Sequence, residues 1–409
     1  MSRTVVTGQQ IGLLGGPLYT ILKVLGAVRQ AEEIGGRAVY WLETNDADFA
    51  EINHLDFIDA AGNLRQLRWD KDSGGLSCGG IEVDDALVDL LNRFFEALQP
   101  TEHTARLRHL ALSAYAPGRP LGRAAREVAA ALFKDFTLEL FDPMDPDFRR
   151  ATRDILLREA RRTAAGGQCN LFGIVDGRRV ALFRTDTGYV DRAGHPVDVE
   201  AVDLVPNVRT RSVIQDFYFG THTYVAGPGE VAYLGGLGDV YGYHRVTPAR
   251  IRHRMSVRLI EPRARRLIEK LGVAVEDLEG VTRDAFVNGL MSRISGFDAR
   301  EIQDRAVQRV DAFLEDLDSL GLQVKEIRRL LLPAVKRELG LRRAEEKKRL
   351  GQRVEKAGFL YDLMRPNGRP QERVFNGFYY MNLYGGDDFI RLLYRNYRFG
   401  PEVTEVELG

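Results

Sequence analysis

Cysteine is nearly absent from this chain. Its 409 residues hold only Cys78 and Cys169, too few for a disulfide framework and without the paired spacing of a zinc site, so a reducing compartment and no structural metal are expected. Net charge is absent as well. Lys plus Arg equals Asp plus Glu at 58 each, so no global field draws the chain to nucleic acid or a membrane surface. No run of 18 apolar residues occurs, and the first residues lack a charged segment followed by an apolar stretch and a cleavage site. A soluble, unexported, cytoplasmic protein is expected. What the chain does have is apolar residues, 44% of the total, enough for a large core divided among two or three structural units.

The densest signal lies at the start. A β-prone run, Arg3 to Val6, breaks into Thr7-Gly8-Gln9-Gln10 and then Ile11-Gly12-Leu13-Leu14-Gly15-Gly16-Pro17, which reads as a strand, a glycine-rich turn and a helix start. Pro17 suits a first helical turn, and Leu18, Ile21, Leu22, Leu25 and Val28 recur at helical spacing. Glycines beside a helix start let backbone N–H groups approach an anion, such as a nucleotide phosphate or a carboxylate. The run matches neither G-x-G-x-x-G nor a Walker loop, and a turn needed only for close packing is an even alternative.

The segment Gly36 to Trp41 reads as a second strand that completes a βαβ unit, which implies parallel pairing. An acidic loop follows, from Leu42 through Asn45-Asp46-Ala47-Asp48 to Asn53-His54, at the strand edge where open α/β sheets bind ligands. Asp46 and Asp48 could hold Mg²⁺ with substrate oxygens, orient an ammonium group, or cap the next helix. His54 is a ligand, a base or a structural histidine. Helical spacing dominates Leu87 to Leu140, broken at Tyr115–Leu121. A strand at about Leu138–Pro143 and a helix over Asp147–Thr163 follow, and an Asp176-Gly177 turn joins strands Asn170–Val175 and Arg179–Arg184. A mixed sheet is therefore expected.

A second glycine constellation, Thr221 to Tyr233, again ends a β-prone run in Gly227-Pro228-Gly229 and opens a helix with Glu230 in its first turn. Upstream, Asn207, Arg209, Arg211, Gln215 and Asp216 could fork onto a carboxylate or phosphate, or stay solvated. Further on, Ala306, Val310, Phe313, Leu317 and Leu320 step by four and three as a short coiled-coil seam, and Pro333 should kink or divide the helical stretch Leu322–Leu363. The basic run Arg342–Arg353 is interrupted by Glu345 and Glu346 and reads as a solvated helix face.

Taken in order, Thr7–Gln10 through Tyr19-Thr20, Trp41 through Asp46-Ala47-Asp48-Phe49 to His54, Gly227–Glu230, and Arg365-Pro366-Asn367-Gly368 with Gln371-Glu372-Arg373 and Asn382–Gly385 resemble the bacillithiol-synthesis cysteine-adding enzyme family, often called BshC. The resemblance spans nearly the whole chain. It implies an α/β fold with a Rossmann-like core similar to class I aminoacyl-tRNA synthetases, nucleotidyltransferases and pantothenate synthetase. On it the domains are a core over 1–265 with a helical connection at about 85–140, a helical coiled-coil region over 266–364, and a C-terminal helical segment over 365–409. The implied activity is a ligase that forms an amide (C–N) bond, joining cysteine to the amine of glucosaminyl-malate through an aminoacyl-adenylate made from ATP with Mg²⁺, in a homodimer paired through the helical region.

Resemblance and residue type together give Asp46 and Asp48 the positioning of Mg²⁺ or amine, and Arg254 the charge on pyrophosphate. They assign nucleotide or substrate binding to Thr7, Gly8, Gln9, Gln10, Gly12, Gly15, Gly16, Tyr19, Asn53, His54, Asn207, Arg211, Gln215, Gly227, Gly229, Glu230, Tyr233 and Ser256. No nucleic acid or membrane partner is expected. Three departures stand out. The family's Glu-Asp-His-Asp loop is Asn45-Asp46-Ala47-Asp48 here, its Pro-Arg before a serine is His253-Arg254-Met255-Ser256, and the chain is short for the family. A nucleotide-using ligase or transferase with another acceptor, and a non-catalytic scaffold, remain as alternatives.

Overall fold

The computed structural model describes residues 3–409. They form two compact units, one built from the chain up to Leu259 together with Gln371–Gly409, the other from Ile260–Pro370. The first unit is organised by a five-stranded sheet of β1 (Thr4–Gln10), β2 (Arg37–Glu43), β3 (Glu139–Phe141), β6 (Thr221–Ala226) and β7 (Arg250–His253), in the order β7-β6-β1-β2-β3. β4 (Gln168–Val175) and β5 (Arg178–Arg184) lie in another sheet.

Every pairing in the central sheet is parallel. The mixed topology expected from the hairpin is not found there. β4 and β5 pair antiparallel within a separate four-stranded sheet, because a short Asp-Gly turn can reverse a strand but cannot supply the crossover a parallel neighbour needs. Parallel strands must be covered on both faces, and Val5, Val6, Val39 and Trp41 have no exposed surface. Trp41 packs with ring centroids 5.1 Å from Phe141 and 5.2 Å from Phe148. The crossover helix α1 (Leu18–Ile34) buries twelve of its seventeen residues, so its apolar spacing serves more than one face.

β1 runs on through Thr7–Gln10, and the turn expected at Thr7 begins only after it. The turn itself is sealed. A side chain on Gly12 would meet the Gly16 Cα at 2.8 Å, Asn376 Nδ2 donates to the Leu13 and Gly16 carbonyls at 2.9 Å each, and the Tyr115 hydroxyl accepts from the Leu14 N–H at 2.9 Å. The stretch between Leu87 and Leu140 resolves into helices Asp85–Ala97, Thr104–Ala114 and Leu121–Leu132 before β3.

In the second unit, helices Ala299–Ser319 and Val324–Arg349 form a hairpin joined by an Arg328–Asp311 ion pair. Pro333 does not divide the second helix. The carbonyl it leaves without a partner belongs to Arg329, an exposed residue, so water can satisfy it. Ala306, Val310 and Leu317 of the expected seam are half-buried, but two of its positions depart from it. Leu314 is buried, whereas Phe313 and Leu320 are 49% and 75% exposed, since a two-helix hairpin covers a single stripe of each helix. Among the described residues, no helix is long and apolar enough to cross a membrane.

Candidate active site

A cavity of about 660 Å³ opens over the carboxyl ends of β1, β2 and β6. The sheet order reverses between β6 and β1, a switch point where crossovers diverge and leave a crevice. Strand ends deliver Gly8, Gln9, Gln10 and Glu43, the loop after β2 delivers Asn45, Asp46, Asp48 and Glu51, and the turn after β6 delivers Gly227, Gly229, Glu230 and Tyr233. Tyr19 and Lys23 come from α1, and Asn207 and Arg211 from the start of α2 (Val208–Phe219). Phe172 and Arg179 reach in from β4 and β5, Arg254 follows β7, and Arg373 belongs to the returning C-terminal segment.

The floor is a buried charge cluster. Lys23, 1% exposed, donates to the Gly8 carbonyl at 2.5 Å, Gln9 Oε1 at 3.2 Å and Glu230 Oε2 at 2.6 Å, which uses all three ammonium protons. Glu230 also accepts from the Gly227 N–H at 2.8 Å and the Tyr224 hydroxyl at 2.7 Å. Burial alone would push its carboxyl up, but Lys23, Arg211 and these hydrogen bonds hold it below the ordinary glutamate range. The network ties α1, β1 and the turn after β6 into one rigid wall.

The opposite wall is acidic. Asp46 Oδ1 lies 3.0 Å from Arg179 and accepts from the Ala47 N–H at 2.7 Å, while Oδ2 accepts from Gln10 at 2.7 Å. Arg179 sits over the Phe172 ring at 4.2 Å. Asp48 occupies the N-cap of helix Phe49–Ile52, yet its side chain makes no capping bond, and it stays exposed at the cleft. Burial pushes the Glu43 carboxyl up to about 7, with Arg211 and Arg179 opposing the rise and Asp46 adding to it. The Tyr19 hydroxyl, which accepts from Gln9 at 3.0 Å, is raised to about 12 by burial above all.

Of the residues singled out from sequence, the cleft therefore gathers Gly8, Gln9, Gln10, Tyr19, Asp46, Asp48, Asn207, Arg211, Gly227, Gly229, Glu230, Tyr233 and Arg254. The others lie elsewhere. The Thr7 hydroxyl donates to the Val225 carbonyl at 2.9 Å. Gly12, Gly15 and Gly16 shape the sealed turn. Asn53 is buried and donates to the Trp69 carbonyl at 3.1 Å, and His54 stands 3.5 Å from Asp56. Gln215 is fully buried beside Asp216, and Ser256 starts strand Ser256–Ile260. Asn207 spends its side chain capping α2, and Arg209 pairs with Asp239 outside the cleft. Both cysteines are buried, and burial raises Cys78 to about 12, which removes it as a nucleophile.

Sequence reasoning missed Lys23, Glu43, Phe172, Arg179 and Arg373 as cleft residues. Lys23 carried a readable signal, a lone charge within an apolar helical run. Arg179 and Phe172 carried none, because only the tertiary fold brings their hairpin to the acidic loop.

A parallel sheet with a polar cleft over its switch point, in a chain that also carries a helical hairpin unit, defines a Rossmann-like protein. Family models agree in both parts: the bacillithiol biosynthesis BshC N-terminal Rossmann-like domain matches residues 1–168 and 162–255, and the BshC C-terminal coiled-coil domain matches 257–407. The chain belongs to the bacillithiol biosynthesis BshC family. A relative named "Putative cysteine ligase BshC" from Salinibacter ruber is 28% identical over 435 residues, covering 94% of this chain and 79% of that protein. One of the same name from Anoxybacillus flavithermus is 26% identical over 459 residues, covering 97% and 84%. Among solved structures, Plasmodium falciparum tryptophanyl-tRNA synthetase aligns with 91% of this chain and 83% of its own, at 10% identity and a TM-score of 0.29.

Proposed function

We propose that this chain is a cytoplasmic cysteine ligase that joins the carboxyl of cysteine to the amine of glucosaminyl-malate, with ATP supplying the activation of that carboxyl. Family membership and the relatives' names support the reaction class. The observation that carries the reading is that one cleft unites Gly8–Gln10, the acidic loop, the turn at Gly227 and Arg373.

Each group has a part in this reading. Arg373 is exposed at the cleft, and no ion pair commits it among the described residues, so it is the cation best placed to meet nucleotide phosphates. Arg254, the residue assigned from sequence to pyrophosphate, is already held by Glu372 at 2.6 Å. Asp48, uncommitted, orients an ammonium group. Asp46, pinned by Arg179 and Gln10, fixes the shape of the loop. The donor set does not suit a resident Mg²⁺. Both Asp46 oxygens are engaged, and no cluster of three His, Cys, Asp or Glu forms among the described residues. No step is therefore routed through a protein-held metal, and any Mg²⁺ enters with the triphosphate.

The test is direct. The full chain incubated with ATP, Mg²⁺, cysteine and glucosaminyl-malate should yield the coupled thiol by mass, and Asp46→Asn, which weakens the Arg179 clamp, should lower its rate about 100-fold. An unaltered rate in the variant would sink the role of Asp46. A folded wild-type chain that makes no product would instead favour a different acceptor or a scaffold.

The reading includes a homodimer. Phe313, Leu320, Leu330 and Leu341 leave apolar surface on the helical hairpin, each at 49% exposure or more, which a second copy would cover. Light scattering of the full chain should return twice its 46.0 kDa mass, and a monomer mass at micromolar concentration removes the dimer.

A further inference from the structure

Amide formation needs a base. An alkylammonium has no lone pair to offer, so the acceptor amine must lose a proton before or during attack. Position 47 of the acidic loop is alanine, and among the described residues no histidine lines the cleft. The carboxylates there are mostly committed: Asp46 to Arg179 and Gln10, Glu51 to Gln10 at 2.7 Å, and Glu230 to Lys23.

Glu43 differs from them. It is the last residue of β2, in register with Gln10 of β1, and its side chain faces the cleft with 15% of its surface exposed. The closest approach of Arg211, Nε to Glu43 Oε2, is 3.7 Å, beyond a hydrogen bond, and Arg211 directs its own bonds to the Tyr224 hydroxyl at 2.9 Å and Gln215 at 3.3 Å. The charged groups facing Glu43 are Arg211 from α2, Arg179 from β5 and Asp46 from the loop, with the Trp41 indole on its own strand. One cation is thus shared with other acceptors, and the other already holds Asp46.

We propose that Glu43 is the general base of the ligation step, the one half-buried cleft carboxylate among the described residues that no hydrogen-bonded cation already holds. The inference rests on the ligase reading above. The amine nitrogen attacks the activated cysteine carbonyl carbon, and the C–N bond forms as the bond from that carbon to the activating phosphate oxygen breaks. The nucleoside monophosphate leaves with that electron pair. The ammonium gives up two protons on the way to the amide N–H: one passes to a Glu43 carboxylate oxygen and from there to water, and the other leaves to water as the tetrahedral intermediate collapses. Poised near neutrality by burial, the carboxyl can both accept and release that proton at working pH.

Glu43→Gln keeps the shape and removes the base. Cysteine-dependent exchange of labelled pyrophosphate into ATP reads activation, and product mass reads ligation. In the variant, exchange should stay within about threefold of wild type while ligation falls about 100-fold or more. The wild-type ligation rate should rise through an ionisation near pH 7 that the variant lacks, and Glu43→Asp should restore part of the rate.

Ligation that persists in Glu43→Gln with an unchanged pH profile overturns the base, as does loss of exchange and ligation together, which would place Glu43 in activation. A folded wild type with neither exchange nor product overturns the ligase reading, and the base with it. Folding has its own readout. The folded-state carboxyl is raised above its unfolded value, so its contribution to stability is full below about pH 4.5 and lost as pH rises through about 7. Glu43→Gln should therefore melt no lower than wild type at pH 8, and a lower melting temperature there contradicts the placement of Glu43.

Discussion

Lys23→Met should lower the unfolding free energy by about 3–5 kcal/mol, the range for removing one partner of a buried ion pair. Methionine fits the space, so packing is largely kept and the loss reports charge. The Glu230 carboxylate would remain at 20% exposure with its nearest cation gone, and the Gly8 carbonyl would lose a bond at 2.5 Å. The double change Lys23→Met with Glu230→Gln should recover much of the loss, because two neutral side chains avoid the desolvation that one stranded charge suffers. Urea unfolding checks both, with the slope unchanged. A single-variant loss below about 1 kcal/mol would mean the pair behaves like an exposed one. The pH dependence follows from the lowered Glu230 carboxyl. Its stabilisation is present above the unfolded glutamate value and is lost as pH falls through the lower folded value.

Arg254→Ala should be comparably damaging, at about 3–5 kcal/mol. Arg254 and Glu372 are 3% and 5% exposed and meet at 2.6 Å. Arg254 also donates to the Met255 carbonyl at 2.5 Å, and the other Glu372 oxygen accepts from the Val257 N–H at 2.7 Å. Together with Gln371, which binds Leu259 through both of its amide atoms, the pair fastens the returning segment to strand Ser256–Ile260. That attachment matters for the site because Arg373 follows directly. Arg254→Lys should restore only part of the stability, since an ammonium cannot reproduce the two-sided fork of guanidinium. Chemical denaturation measures both variants, and an Arg254→Ala chain as stable as wild type would show the pair to be dispensable.

Much of the fold was legible because its signals are local. Alternating and continuous apolar runs mark β1, β2 and β6, and helical spacing marks α1. What failed depended on distant residues. Gly12, Gly15 and Gly16 look like an anion loop in sequence, but their turn spends its N–H groups internally: Gly15 and Gly16 donate to the Gly12 and Leu13 carbonyls, Leu14 donates to Tyr115 about one hundred positions away, and Asn376, hundreds of positions away, ties down the Leu13 and Gly16 carbonyls. Asp46 and Asp48 look equivalent two residues apart, yet Arg179 engages only the first. Glu43 sits in the quoted loop region, but its raised carboxyl comes from burial that no local pattern reveals. The hairpin register at Phe313 and Leu314 turned on which helix face the partner helix covers, a choice that two heptads do not encode.

The most direct test of the central claim is a crystal structure of the full chain with a non-hydrolysable cysteinyl-adenylate analogue. The analogue should lie between Gly8–Gln10 and Gly227–Glu230, its phosphate surrogate near Arg373 and its cysteinyl ammonium near Asp48. An empty cleft with the analogue bound elsewhere, or no binding at concentrations that saturate a ligase, would contradict the assignment of this cleft as the site of cysteine activation.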